Sequence, residues 1–348
     1  MDNAGTVIKL ATIPSQRYSV KQVLAALVFL TIGLMADEIR ADLFEPFSTS
    51  NLNPFVQLHG IPATRSANLV EKSRFEWNLT TSIANNFTAN TSRSESIAID
   101  GETWRSSVTA TYGLTDRIEI GVEVPFIRHS GGSLDGLIEN WHEVFGLPNG
   151  GRGDMQSDRL TYAWISGVTT HANLQSSTSG MGDATLHLGY RLNSGTNRSW
   201  SLRTGVKLAT GDAEKLTGSD STDIFASLHM TQTDLFGRSS LVFHGSLGAI
   251  NIGDGNFTEN QLEDWVAFGS AMVTWQPWDR ISLKTQLDFN SPLYDSDLKE
   301  LGDPSVQLGL GGAIKLTDRT VLNIAVIEDI ITDTSPDVVF HLGLRTRF

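Results

Sequence analysis

Apolar and polar residues alternate along most of this chain. Phe75, Trp77 and Leu79 oppose Arg74, Glu76, Asn78 and Thr80; Ile118, Ile120, Val122, Val124 and Phe126 oppose Glu119, Gly121 and Glu123. Ile281, Leu283, Leu287 and Phe289 likewise oppose Ser282, Lys284, Gln286 and Asp288. A period of two is that of a strand with one apolar face. Twelve such segments lie between Ser73 and Phe348, each near the roughly ten residues that a tilted membrane-spanning strand needs. Those at 222–231 and 239–249 alternate less cleanly. In the last, Phe340, Leu342, Leu344 and Phe348 share one face, and His341, Gly343, Arg345 and Arg347 the other.

The connections separate a barrel from a soluble sandwich. Links after even strands are short, at 113–117, 192–198, 234–238, 276–280 and 317–319. Those after odd strands are mostly long, at 84–103, 129–182, 210–221, 250–263, 290–304 and 329–336. An even strand count with short turns on one rim describes an all-β fold, a single antiparallel transmembrane β-barrel of about twelve strands. The short turns are expected in the periplasm and the long loops outside. Residues 160–168 also alternate, but a thirteenth strand would send the C-terminus to the wrong side. They are therefore assigned, with an amphipathic helix at 134–145, to one large external loop at 129–182. The last strand is expected to pair with the first, around Phe75 to Leu79, and so remove the open edge. Phe348 then serves as a rim anchor and assembly signal.

Two stretches fall outside the alternation. Residues 42–72 are rich in turn formers and are expected to form an ordered strap, at the periplasmic rim or inside the lumen. Residues 1–41 carry Arg17 and Lys21 before an apolar run of about thirteen residues and then Ala36 and Ala41. That is the pattern of a signal peptide, too short to span a bilayer as a helix. Cleavage after Ala36 or Ala41 fits equally.

Composition narrows the function. The 348 residues include no Cys, which excludes disulfides and thiolate metal sites, and the net charge of −13 argues against a nucleic-acid partner. Aromatics gather towards strand ends, as in the two interfacial girdles of a membrane barrel. Expected partners are outer-membrane lipid and lipopolysaccharide, the barrel-assembly machinery and a small solute.

The face opposite the lipid side carries both signs. Arg74, Glu76, Arg105, Glu119, Glu123, His187, Arg191, Arg203, Lys207, His244, Lys284, Asp288, His341 and Arg345 should point inward, because charges cost several kcal/mol in lipid. They would interlock as a structural network or line a polar path. A hydrolase needs a nucleophile beside a His held by a third group; the histidines are scattered among strands, so no catalytic residue is assigned. The long loops are acidic, with Asp212, Glu214, Asp220 and Asp223 in one and Asp295, Asp297, Glu300 and Asp303 in another. None matches a twelve-residue calcium loop, so these acids are read as solvated. No metal or cofactor is expected.

Four stretches carry a resemblance: Asn51-Leu52-Asn53-Pro54-Phe55, Asp100-Gly101-Glu102-Thr103-Trp104-Arg105, Tyr112-Gly113-Leu114-Thr115-Asp116-Arg117 leading to Pro125-Phe126, and the closing segment to Phe348. With these the chain resembles the bacterial family known as domain of unknown function 3187. The resemblance implies an outer-membrane barrel and supplies no catalytic residues. The leading expectation is a passive pore or small-solute transporter. The alternatives are a closed structural or adhesive barrel that binds a surface partner through 129–182, and a lipid-active enzyme.

Overall fold

The computed structural model describes residues 43–132, 159–255, 257, 261–330 and 334–348. The signal peptide read at 1–41 and the helix read at 134–145 lie outside them. Fifteen strands occur in the described residues. They are β1 (Phe75–Thr91), β2 (Glu95–Gly113), β3 (Ile118–Ser130), β4 (Thr161–Ser166), β5 (Thr169–Leu174), β6 (Thr178–Met181), β7 (Thr185–Ser194) and β8 (Arg198–Lys207). The rest are β9 (Asp223–Gln232), β10 (Leu241–Asn251), β11 (Trp265–Trp278), β12 (Ile281–Asn290), β13 (Ser305–Lys315), β14 (Thr320–Asp329) and β15 (Val338–Arg347).

Twelve of them close a barrel. β1, β2, β3 and then β7 to β15 pair antiparallel in sequence order, and β15 pairs with β1 from Glu76↔Arg347 to Asn85↔Val338. Phe75 and Phe348 exchange backbone hydrogen bonds beyond that ladder, at 3.1 and 2.8 Å. No edge of the cylinder is left open, which is what a lipid environment demands of strands.

The outer wall is apolar. Trp77, Ile120, Phe126, Leu188, Leu228, Trp275, Leu283, Leu310 and Leu342 are all exposed. A soluble monomer does not leave such a continuous apolar surface uncovered. Trp265 opens β11 and Trp275 lies three residues before its end, both exposed. Their ten-residue separation at about 3.3 Å each, tilted by about 40°, matches an apolar band of about 25 Å.

Two loop assignments change. The stretch 84–103 is no loop: β1 runs on to Thr91 and β2 starts at Glu95, leaving a tight turn. Residues 84–91 lack an alternating apolar face because this overhang rises past the lipid band. Within 129–182, the segment at 160–168 does form strand. β4 pairs with the overhang of β2 from Glu95↔Ser166 to Asp100↔Thr161, β5 pairs with β4, and β6 pairs with the far end of β3. These strands extend the long-loop end of the barrel without entering its wall, so the count of twelve stands.

The strap lies inside the cylinder. Its first limb climbs in step with the inner face of β12: the Leu43 carbonyl accepts from Ser282 (2.8 Å), the Glu45 carbonyl from Lys284 (2.6 Å), Phe47 pairs with Gln286, and Thr49 donates to Asp288 (2.9 Å). Each pair is separated by 239 residues, so two extended segments advance together two residues at a time. At the top, the Asn51 and Asn53 side chains accept from the backbone N–H two residues on, at 2.9 and 3.0 Å. These Asx turns reverse the chain around Pro54 and a single 3₁₀ turn at Val56–Leu58.

The tip is buried in the largest apolar cluster of the molecule. Phe55, Val56 and Leu58 pack with Ile97 and Ile99 of the overhang, Tyr162 and Trp164 of β4, Phe268, and Tyr294 with Leu298 and Leu301 of a long loop. Burial pushes the Tyr294 phenol up, so it stays protonated and donates to the Phe55 carbonyl at 2.9 Å. The second limb then descends to Ser73, whose N–H donates to the Gly113 carbonyl (2.7 Å) where β1 begins.

Candidate functional site

The interior holds the chemistry, because lipid excludes charge from the outer wall. Inner-face positions of β1, β2, β3, β7, β8 and β9 meet the descending limb of the strap in a set of ion pairs. Arg65 of the strap contacts Glu76 (3.2 Å), Thr111 and His187 (2.7 Å). Glu76 also takes Arg347 at 2.7 Å and Arg345 at 3.7 Å, and both arginines reach Glu45 of the ascending limb. Arg203 pairs with Glu119 (3.0 Å) and donates to the carbonyls of Ser66 and Asn68, while Glu119 accepts from the Val70 N–H (2.8 Å).

Nearer the long-loop end, Lys207 lies between Asp183 (2.7 Å) and Asp223 (3.2 Å) and donates to the Ser219 hydroxyl and the Ser221 carbonyl. Asp223 in turn accepts from the Gly60 N–H at 3.0 Å. A Cβ on Gly60 would sit 2.8 Å from that of Lys207, so the strap approaches this wall as closely as only glycine allows.

The remaining inward charges find partners on the same scale. Arg105 pairs with Glu123 (3.1 Å), Lys284 donates to Asn323 (2.7 Å), and Asp288 accepts from Gln286. His244 contacts Thr231 (2.9 Å) and His341 contacts Ser82 (2.8 Å). Arg74 and Arg191 sit half-buried at the short-turn rim, before β1 and near the end of β7. Phe340, Leu342, Leu344 and Phe348 belong to the closing strand and its end, with Leu344 opposite Leu79 and Phe340 opposite Ile83.

Several members of the network were not legible in sequence. Glu45, Arg65 and His59, whose ring meets Tyr294 at 3.0 Å and Asp223 at 3.9 Å, fall in the aperiodic strap, where no face can be assigned. Asp183 precedes β7, and Asp223 and Glu300 read in sequence as solvated loop acids. The structure buries both: Asp223 opens β9 beside Lys207, and Glu300 accepts from Thr88 and Asn90 of the overhang. Their burial follows from the cap that folds over the barrel mouth, which only the tertiary arrangement reveals.

Between the descending limb and this wall lies a cavity of about 90 Å³, lined mostly by polar and charged residues. Glu76 and Arg345 line it towards the short-turn end, Arg105 and Glu123 in the middle, and Asp183 and Thr217 towards the long loops. Arg105 and Glu123 keep 20% and 27% of their side chains accessible, the most open ion pair on the cavity wall. Such a gap can hold water and pass or bind a small polar molecule. Among the described residues no group of three or more His, Asp or Glu is placed to hold a metal.

Solved structures share this architecture. An outer membrane channel from Pseudomonas putida F1 matches with a TM-score of 0.53 at 14% identity, over 81% of this chain and 98% of that one. The NanC porin matches over 78% and 98% at 7% identity with a TM-score of 0.44. The toluene transporter TbuX of Ralstonia pickettii matches over 81% and 91% at 10% identity with a TM-score of 0.38. No curated protein matches the sequence. The molecule is an outer-membrane β-barrel, and the model of the protein family of unknown function DUF3187 matches residues 23–348, so the chain belongs to that family.

Proposed function

We propose that the protein is a narrow pore or transporter for small solutes, with its path in the gap between the strap and the wall formed by β1–β3 and β7–β9. The observation that carries this reading is the polar cavity reaching from Glu76 to Asp183 through a barrel otherwise filled by its own N-terminal segment. A structural plug alone has no need of a cavity lined by charged and hydroxyl side chains. Wild-type protein in planar bilayers is expected to give small, infrequent conductance steps. Complete silence from correctly folded barrel would count against a path.

A second reading, a closed structural or adhesive barrel, draws on the apolar cap. The strap tip is sealed beneath β4 and β5, whose hairpin presents Val168 fully exposed at its end. If that hairpin binds a surface partner, serine at Ile165 and Val168 abolishes attachment while leaving conductance intact. Catalysis has little support. Among the described residues the one Ser–His pair with both members on the cavity, Ser227 with His229 at 2.8 Å, is oriented by the Arg65 carbonyl and has no carboxylate as third group.

Lipid, lipopolysaccharide and the barrel-assembly machinery are proposed as partners, and residues 1–41 are proposed to direct export. Phe348 ends the closing strand and is proposed as part of the assembly signal. Phe348→Ser is expected to reduce heat-modifiable barrel in the outer membrane severalfold, and unchanged levels on a gel would contradict that role.

A further inference from the structure

The cavity wall divides its polar groups into two kinds. Its charges are spent on one another: Arg65 on Glu76, Arg105 on Glu123, Arg203 on Glu119, Lys207 on Asp183 and Asp223, and Arg345 on Glu45 and Glu76. A passing ion would have to break one of these pairs to find a counter-charge, leaving the other partner uncompensated. Glu45, Glu119 and Asp223 behind the lining pair with Arg345, Arg203 and Lys207, so the excess of cations on the cavity surface is offset at short range.

Hydroxyls are different. Ser50, Thr80, Ser107, Thr109 and Thr185 line the same cavity, and among the described residues none has a side-chain hydrogen bond to protein. They come from the strap and from three wall strands, so they surround the space. Gln57 adds a primary amide at the long-loop end. The residue is 7% exposed, and neither its Nε2 nor its Oε1 has a protein partner. A buried amide left open on both sides of its donor and acceptor set calls for a molecule able to donate and accept at once.

We infer that the solute is neutral and polyhydroxylated, recognised by the free hydroxyls and by Gln57 in place of charge. The inference rests on the conducting path proposed above and specifies what the path selects. Hydroxyl groups both donate and accept, so a small polyol can trade its water shell for Thr80, Ser107, Thr109 and Thr185 without disturbing any ion pair.

The test is osmotic swelling of liposomes reconstituted with the full chain, in erythritol or arabinose and in sodium gluconate, with KCl conductance recorded in parallel. Neutral polyols are expected to enter severalfold faster than gluconate, and a KCl gradient should give a reversal potential near zero. The double variant T109V/T185V, which keeps side-chain shape and removes two hydroxyls, should slow polyol entry about fivefold per hydroxyl, a larger factor than its effect on the KCl conductance of the same path. Gluconate entering as fast as arabinose, or a strongly ion-selective KCl current, overturns the assignment and leaves the pore standing. Silence in both assays overturns the pore and this assignment with it. Polyol entry unaffected by T109V/T185V and by Gln57→Leu also overturns it.

Discussion

Deleting residues 43–72 is expected to raise single-channel conductance about tenfold or more. The strap is the main obstacle in the bore: its ascending limb is stitched to β12 at Ser282, Lys284, Gln286 and Asp288, and its descending limb fills the space before β8 and β9. Barrels of about twelve strands are wider than the eight-stranded kind that side chains alone can fill. This lumen must therefore be packed by something else or stand open. The strap also covers inward charges, so its loss could prevent folding. A milder variant keeps the account testable. Leu58→Asp places a carboxylate in the apolar cap, where burying a charge costs several kcal/mol. The tip should come free, and the channel should flicker to larger conductance levels. A folded deletion variant that conducts no better than wild type would show that the strap does not limit flow.

Lys207→Met should destabilise the barrel by about 3–5 kcal/mol, read as a lower urea midpoint in micelles or a lower temperature of gel-shift conversion. Lys207 is 3% accessible in its side chain, between Asp183 and Asp223 at 4% and 0%. Methionine keeps most of the volume and removes the charge, leaving two buried carboxylates facing each other. The strap should loosen as well, because Asp223 is the acceptor for the Gly60 N–H. Asp183→Asn together with Lys207→Met should recover part of the loss, since one uncompensated charge is then gone. A midpoint unchanged by Lys207→Met would mean that water, not Lys207, satisfies these acids.

The wall of the barrel was legible because lipid enforces a strict rule on every second residue. Phe75-Glu76-Trp77-Asn78-Leu79 can only be read one way if one face meets hydrocarbon. The closing pair of β15 with β1 followed from the same rule and the even strand count. The rule weakens where lipid ends. The overhang at 84–103 is held by packing against other loops, shows no sustained apolar face and so reads as loop, whereas 160–168 alternates but could not be placed in the wall without breaking the even strand count. The strap was harder still. Its ascending limb advances two residues at a time, but the contacts are backbone groups of Leu43, Glu45 and Phe47 held by side chains of β12. Backbone hydrogen bonding leaves no trace in side-chain pattern. Of the candidate site, the wall half, including Glu76, Arg105, Glu119, Glu123, Arg203 and Lys207, could be picked out as inward charge. Their counterparts Glu45, Arg65 and Asp183 could not.

Everything proposed for this protein depends on the strap lying in the lumen, and one cross-link addresses that directly. Thr64 of the descending limb and Ser246 on the inner face of β10 approach with their hydroxyl oxygens 3.4 Å apart. Both atoms are attached to Cβ, so the sulfurs of cysteines there lie within reach of each other. The chain contains no Cys of its own, so any bridge must be the engineered one. T64C/S246C barrel extracted from oxidised outer membranes is expected to be fully bridged, with both thiols blocked to maleimide until reduction. Two free thiols that react with maleimide in the folded barrel would place the strap elsewhere and contradict the account.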